Sequence, residues 1–251
     1  MKKQSLRQFL LAGIFLSVAF SSCKKDEDNS NSTTPTPTPY TCATCVTAPQ
    51  AYAAYDASSK GVYKGVVIGS TGTIKFDISN DSSLITAVLT LDGTTATLTS
   101  AVSWVSGVSY IADFTGTFKG SPVTIKFKVD ATGTNPIILT SSIPGHPSAS
   151  FNLIKEKSTA LIECFEGTYS TTKPESGTFN IILSRKLGQF GGASRETGSL
   201  ESDDIDDGTI DASGNLYMDG LLIGKLTGDN IDGTFKDSDG STVTIKGKRT
   251  L

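Results

Sequence analysis

In several short stretches of the chain, apolar and polar residues change places at every step. In "GTIKFDI", Ile74, Phe76 and Ile78 alternate with Thr73, Lys75 and Asp77. In "VTIKFKV", Val123, Ile125, Phe127 and Val129 alternate with Thr124, Lys126 and Lys128, and "VTIKGK" repeats the pattern with Val243 and Ile245. A period of two places one face of a strand on a core and the other in water. Buried parallel strands carry unbroken apolar runs instead, so the pattern predicts antiparallel pairing. Asp-Gly pairs punctuate the runs at Asp92-Gly93, Asp219-Gly220, Asp232-Gly233 and Asp239-Gly240, the dipeptide that tight hairpins favour. The one helix signal is "TAPQAYAAYDASSKG", with Pro49 near its start and Gly61 at its end. It predicts a short helix that packs Tyr52 or Tyr55 on the sheet.

Two short phrases occur twice. Gly116–Lys119 and Gly233–Lys236 both read GTFK, and Val123–Lys126 and Val243–Lys246 both read VTIK. Upstream, "KGVYKGVVIGSTGTIKFDI" aligns with "EGTYSTTKPESGTFNIIL", matching Gly61 to Gly167, Tyr63 to Tyr169 and Gly72-Thr73 to Gly177-Thr178. Long-period self-similarity marks a repeated supersecondary unit. The expected architecture is all-β: an antiparallel meander of two related units, forming one larger or two smaller curled sheets or barrels, with one short N-terminal helix and a disordered tether. The expected organisation is a signal peptide over 1–22, a Thr/Pro-rich tether over 23–47, a first β unit with its leading helix over 48–160, and a second over 161–251. A barrel near eight strands is either filled by its side chains or holds one small ligand.

Composition adds a location. The chain opens with Lys2, Lys3 and Arg7, continues with an apolar run from Phe9 to Phe20 too short for an ordinary membrane span, and reaches Ser21, Ser22 and Cys23. This resembles a bacterial lipoprotein signal, and the resemblance implies cleavage before Cys23 and lipidation of that residue with acyl chains such as palmitate. The segment that follows, "CKKDEDNSNSTTPTPTPYTC", has little apolar surface to bury and Thr-Pro alternation that favours an extended chain. Residues 24–41 could reach up to about 50 Å in that form. Lys25-Asp26-Glu27-Asp28 is similar to the acidic surface-export tag of Bacteroidota lipoproteins, with a plain solvated spacer as the other reading. Together with "GVYKGVVIGSTGTIKF", these features resemble Gly-rich β lipoproteins of Bacteroidota. The Gly-x-Tyr openings and GTF closings are similar to lipocalin-like and avidin-like barrels, a likeness of fold that carries no ligand with it. The resemblance implies an outer-membrane lipid anchor, facing the periplasm or the cell surface.

The formal net charge is −3. Removing the three positive residues of the signal makes the mature chain more acidic, and the acid gathers in the second half: residues 157–251 carry fifteen acids against ten bases, whereas residues 46–156 carry seven of each. Phosphate recognition needs clustered Lys and Arg, so nucleic acid is not an expected partner.

Candidate chemistry is sparse. Cys42-Ala-Thr-Cys45 is a CxxC pair, but it follows a tether instead of opening a helix in a βαβ frame, which favours a disulfide over redox catalysis. Cys164 makes the thiol count odd once Cys23 is lipidated. A Cys45–Cys164 bridge is the expected pairing because each lies shortly before a unit, and Cys42–Cys45 is the competing local one. His146 is the sole histidine. It could complete a three-Cys zinc set, yet a loop histidine in "PGHPS" is the simpler reading, so no firm metal site is expected. Asp203, Asp204, Asp206, Asp207 and Asp211 crowd one segment as candidate weak calcium ligands, although the EF-hand spacing fails. Trp104 and Tyr110 flank "VSGVS" and are candidates for stacking on a sugar ring, against core packing as the plain alternative. No Gly-x-Ser-x-Gly is present, and a Ser-His-Asp device could use only His146. A paired-carboxylate device needs no adjacent acids, so spacing does not decide it. The expected function is non-enzymatic and needs no cofactor: a lipid-anchored envelope protein that binds a small apolar molecule or a glycan, or else a structural or adhesive surface protein without a pocket.

Overall fold

The computed structural model describes residues 40–81 and 84–251. The signal, Cys23 and residues 23–39 of the tether lie outside the described residues. Sixteen strands form two eight-stranded antiparallel sheets. The first contains β1 (Gly61–Ile68), β2 (Gly72–Ile78), β3 (Ile85–Leu91), β4 (Thr94–Thr99), β5 (Tyr110–Phe118), β6 (Ser121–Val129), β7 (Ile137–Ser142) and β8 (Ser150–Lys155). The second contains β9 (Glu163–Thr171), β10 (Ser176–Ser184), β11 (Gln189–Glu196), β12 (Asp203–Ile210), β13 (Asn215–Met218), β14 (Leu221–Thr227), β15 (Asn230–Lys236) and β16 (Thr242–Arg249). In each, the last strand returns to pair with the first. The second sheet thereby closes into a barrel, and the first curls until its edges β7 and β8 face each other without a ladder. Of the two arrangements open in the sequence, two smaller barrels is the one formed.

The hairpin chemistry is as the dipeptides suggest at two sites. Asp92-Gly93 and Asp219-Gly220 have positive φ at both central residues, as a type I′ turn requires. Lys119-Gly120 makes the same turn without an Asp-Gly signal. Asp232-Gly233 is no turn: both residues lie inside β15, and a Cβ on Gly233 would come within 2.1 Å of the Ile223 carbonyl oxygen. The glycine there serves close approach of β14 and β15.

Strand pairing corrects the alignment of the two units. Gly65 lies opposite Ile74 and Gly167 opposite Phe179, so Gly65, not Gly61, is the counterpart of Gly167. The physical role agrees. An added Cβ would strike the Asn152 carbonyl oxygen of β8 in one unit and the Lys246 carbonyl oxygen of β16 in the other, each at 2.4 Å. The doubled phrases also fall at different places. GTFK and VTIK occupy β5 and β6 in the first unit, which continues for two more strands, but β15 and β16 in the second, where β16 closes the barrel on β9. Their register differs as well: Gly116 faces Val123, whereas Gly233 faces Ile245. The phrases open hairpins of different turn length and do not mark equivalent strands.

The expected leading helix is a single 3-10 turn at Ala53–Tyr55. Side-chain bonds hold this segment in place of a helical ladder. Asn80 donates to the Gln50 carbonyl and accepts from the Tyr52 amide, and Asp56 accepts from the Ser158 amide at 2.8 Å and its hydroxyl at 2.7 Å. Tyr52 is exposed, touching Tyr55 edge-on instead of the sheet.

The two barrels pack as one compact body. β1 is buried along its whole length because both of its faces are covered. Tyr63 and Val67 point into the first barrel, while Val66 and Ile68 meet Cys164 and Ala193 of the second. Lys64 and Glu156 form a fully buried ion pair at 2.6 Å. Glu156 also accepts from the amides of Ile162 and Gln50, and Lys64 donates to the Ile162 carbonyl, so this pair is hydrogen-bonded on several sides, as a buried charge requires.

Candidate functional site

The two barrels have the same number of strands and different interiors. The first encloses twenty buried apolar residues, including Tyr63, Phe76, Phe114 and Phe127. Phe76 and Phe127 stack at 4.4 Å between centroids, Phe114 meets Phe76 edge-on at 4.9 Å, and all four rings have no exposed surface. The second encloses twelve. Their distribution is uneven. Phe165, Leu183, Ile210 and Leu226 fill one end, while Phe179, Ile181, Phe190, Leu216, Ile223, Ile231 and Ile245 line a cavity of about 300 Å³. Glycines occupy inward positions here. A Cβ on Gly167 or Gly247 would run into the Phe179 ring, at 2.3 and 2.8 Å, so that ring lies flat across β9 and β16.

The filled end is also sealed by charge. Glu163, 3% exposed, pairs with Arg249 at 3.1 Å and with Arg185 at 2.9 Å, and Arg249 reaches Asp229 at 3.7 Å. Residues 40–46 dock on this cluster: Tyr40 donates to the Arg249 carbonyl, the Cys42 amide to Asp229, and Arg249 to the Val46 carbonyl. The loop is closed by a Cys42–Cys45 disulfide. Cys164 is not its partner, correcting the expected Cys45–Cys164 bridge. It lies on the outward face of β9, buried between the barrels with its thiol 3.7 Å from the Gly65 carbonyl oxygen, and burial pushes its pKa up to about 12.

The other end is the mouth. It is bordered by loops 172–175, 197–202, 219–220 and 237–241, and Thr171, Glu175, Ser194, Asp203 and Asp237 bring polar atoms to the cavity there. Tyr169 and Phe235 line it as partly buried aromatic rings. The Tyr169 phenol is held above its ordinary pKa by burial first, and then by the charges of Glu196, Asp203 and Glu175. Lys173 and Asp239 form an ion pair between two of the mouth loops. That pairing, with hydrogen bonds from Ser241, holds the Asp239 carboxyl well below the usual range.

The aspartate-rich segment does not gather into a calcium site. β12 sends Asp203 to the mouth, while Asp204, Asp206 and Asp207 line a groove on the outer side with Asn152 and Leu153. Asp211 closes the 211–214 turn at the sealed end, accepting from the Ser213 and Asn215 amides, which lower its pKa. Among the described residues no three His, Cys, Asp or Glu side chains come together as metal ligands. His146 sits on a loop with Nε2 3.4 Å from Asp92, edge-on to Phe118, and so belongs to no zinc set with the cysteines. The two stacking candidates separate. Tyr110 is buried in the first barrel with its hydroxyl donating to the Val102 carbonyl, which removes it as a ligand platform. Trp104 is partly buried over a surface groove, its indole donating to Ser59 and its ring 4.9 Å from the Lys60 ammonium, which also lies 4.7 Å from Tyr55.

The cavity residues were not singled out by motif. A signal was present in the composition of inward positions: those of the second unit include Gly167, Gly177, Gly233 and Gly247, where a filled barrel needs bulk. No protein-family model, curated protein or solved structure matches the chain.

Proposed function

We propose that this chain is a lipid-anchored envelope protein whose second barrel is a non-enzymatic binding module for a small apolar molecule, the first barrel serving as its solid support. The observation that carries this reading is the contrast between the interiors, one packed with stacked aromatics and the other keeping a cavity of about 300 Å³ lined by Phe179, Leu216 and Ile223. A mostly apolar cavity with a few polar groups at its entrance suits small-ligand recognition. No histidine or cysteine lines it; its polar atoms are carboxylates and hydroxyls. Anchoring rests on the residues around Cys23.

The test is titration of the full chain with N-phenylnaphthylamine, a neutral fluorophore that brightens in apolar surroundings. Saturable binding that is lost in Met218→Trp, a plug at the cavity wall, and kept in Ile137→Trp, on the exposed face of β7, is the expected result. Absence of saturable binding, or equal binding by both variants, overturns it and leaves the structural or adhesive reading.

A further inference from the structure

The mouth is chemically one-sided. Its four loops contain Glu175, Glu201, Asp219, Asp237 and Asp239 against a single base, Lys173, which Asp239 already occupies. Three carboxylates, on Glu175, Asp203 and Asp237, border the cavity itself. Nearby bases point elsewhere. Arg195 follows the inward Ser194 and turns outward, bonding Ser202 and, on the first barrel, Ser148 and Ser150. Lys236 follows the inward Phe235 and is exposed. The bases that remain close to this barrel's axis, Arg185 and Arg249, are at the sealed end.

Two aromatic rings share this end of the cavity with the acids. Tyr169 and Phe235 line the cavity at its mouth, below loops 172–175 and 237–241. Rings next to carboxylates attract an ammonium group, the first through the negative face of the ring and the second through charge. A neutral ligand head would cover the carboxylates without replacing their water, which costs free energy, and an anionic head would be repelled. Deeper in, the walls are Phe179, Leu216, Ile223 and Ile231, which offer nothing to a second polar group.

We infer that the second barrel takes a small organic cation, an amine with an apolar body: the body lies in the cavity, and the ammonium sits at the mouth between Glu175, Asp203 and Asp237, against Tyr169 and Phe235. This rests on the reading of the cavity as a ligand site and adds the charge of the ligand. The class is a primary to quaternary ammonium on one short alkyl or aryl group.

The experiment is calorimetric titration of the full chain at low salt and neutral pH with octylamine, octanol and octanoate, which share one body and differ in charge. Octylamine binds about tenfold or more tightly than octanol, as three carboxylates around one ammonium imply at low salt, and octanoate binds weakest. The preference shrinks toward none in about 0.5 M salt, where screening reaches a few ångströms. The double variant Glu175→Gln/Asp203→Asn removes the preference, so that octylamine and octanol bind that variant alike, and Asp237→Asn moves in the same direction alone. Octanol binding as tightly as octylamine, or a preference that survives the double variant, overturns the inference and leaves the apolar-site reading standing. Binding of N-phenylnaphthylamine without octylamine also overturns it, whereas failure of the fluorophore itself removes the underlying reading.

Discussion

Truncating two isoleucines at the doubled VTIK phrase separates a packed barrel from one with a cavity. Ile125 on β6 has no exposed surface and lies opposite Phe114, inside the aromatic cluster. Ile125→Ala deletes three carbons, about 2.4 kcal/mol at about 0.8 per buried methylene. It also leaves a hole that neighbouring rings on both sides cannot close, adding about 1–2 kcal/mol at about 24 cal/mol per Å³. The expected loss is therefore about 4 kcal/mol. Ile245 on β16 is 9% exposed and borders the cavity, with its Cδ1 toward Gly224. Its deletion widens an existing space instead of making a new one, so the cavity term largely disappears and part of the transfer term with it, leaving about 1–2 kcal/mol. Lys126→Ala and Lys246→Ala, one step along on the opposite face, are controls expected within about 0.5 kcal/mol. Urea unfolding gives the four stabilities. Fluorophore titration adds a second readout: Ile245→Ala changes the affinity, and Ile125→Ala leaves it alone. Equal losses for the two isoleucines would refute the contrast between the interiors, because the second barrel would then be as tightly packed as the first.

Two further outcomes follow from the cysteines. Cys164, buried with its pKa pushed up to about 12, should resist a thiol reagent at neutral pH in the folded chain and react only when urea unfolds it, because the thiolate is the reacting species; rapid labelling of the native chain would show that the two barrels part readily. Cys23→Ser should move the protein from the membrane fraction to the soluble one when cells are fractionated, because it lacks the site for acyl chains, and unchanged partitioning would remove the anchor from the proposed function.

What the sequence made legible was the facing of side chains. Alternation at Ile74, Phe76 and Ile78, or at Val123, Ile125 and Phe127, identifies the core side of each strand, and all six are buried. Alternation says nothing of which strand lies alongside, and this is why matching Gly61 to Gly167 set β1 against β9 four residues out of step, while the match of Gly72-Thr73 to Gly177-Thr178 in the next strands stands. Short phrases such as GTFK recur although the hairpins they open differ, a two-residue turn at Lys119-Gly120 and a longer loop over 237–241, so they identify neither a kind of turn nor a position in the meander. β1 is a different case: Val66, Val67 and Ile68 break the alternation because a second barrel covers the outer face, a partner that no local pattern describes. The candidate site was hidden for a related reason. Tyr169, Glu175, Asp203 and Asp237 come from separate strands and loops and meet only on closure of the barrel. The aspartate cluster stood out in sequence, yet pleating sends Asp203 and Asp204 to opposite sides of the sheet.

The described chain begins on the sealed end of the second barrel, where Tyr40 donates to the Arg249 carbonyl. The small covalent ring between Cys42 and Cys45, with its bonds to Asp229 and Arg249, works there as a strain relief: a pull on this segment is spent on the sealed end before it can distort the walls around the cavity.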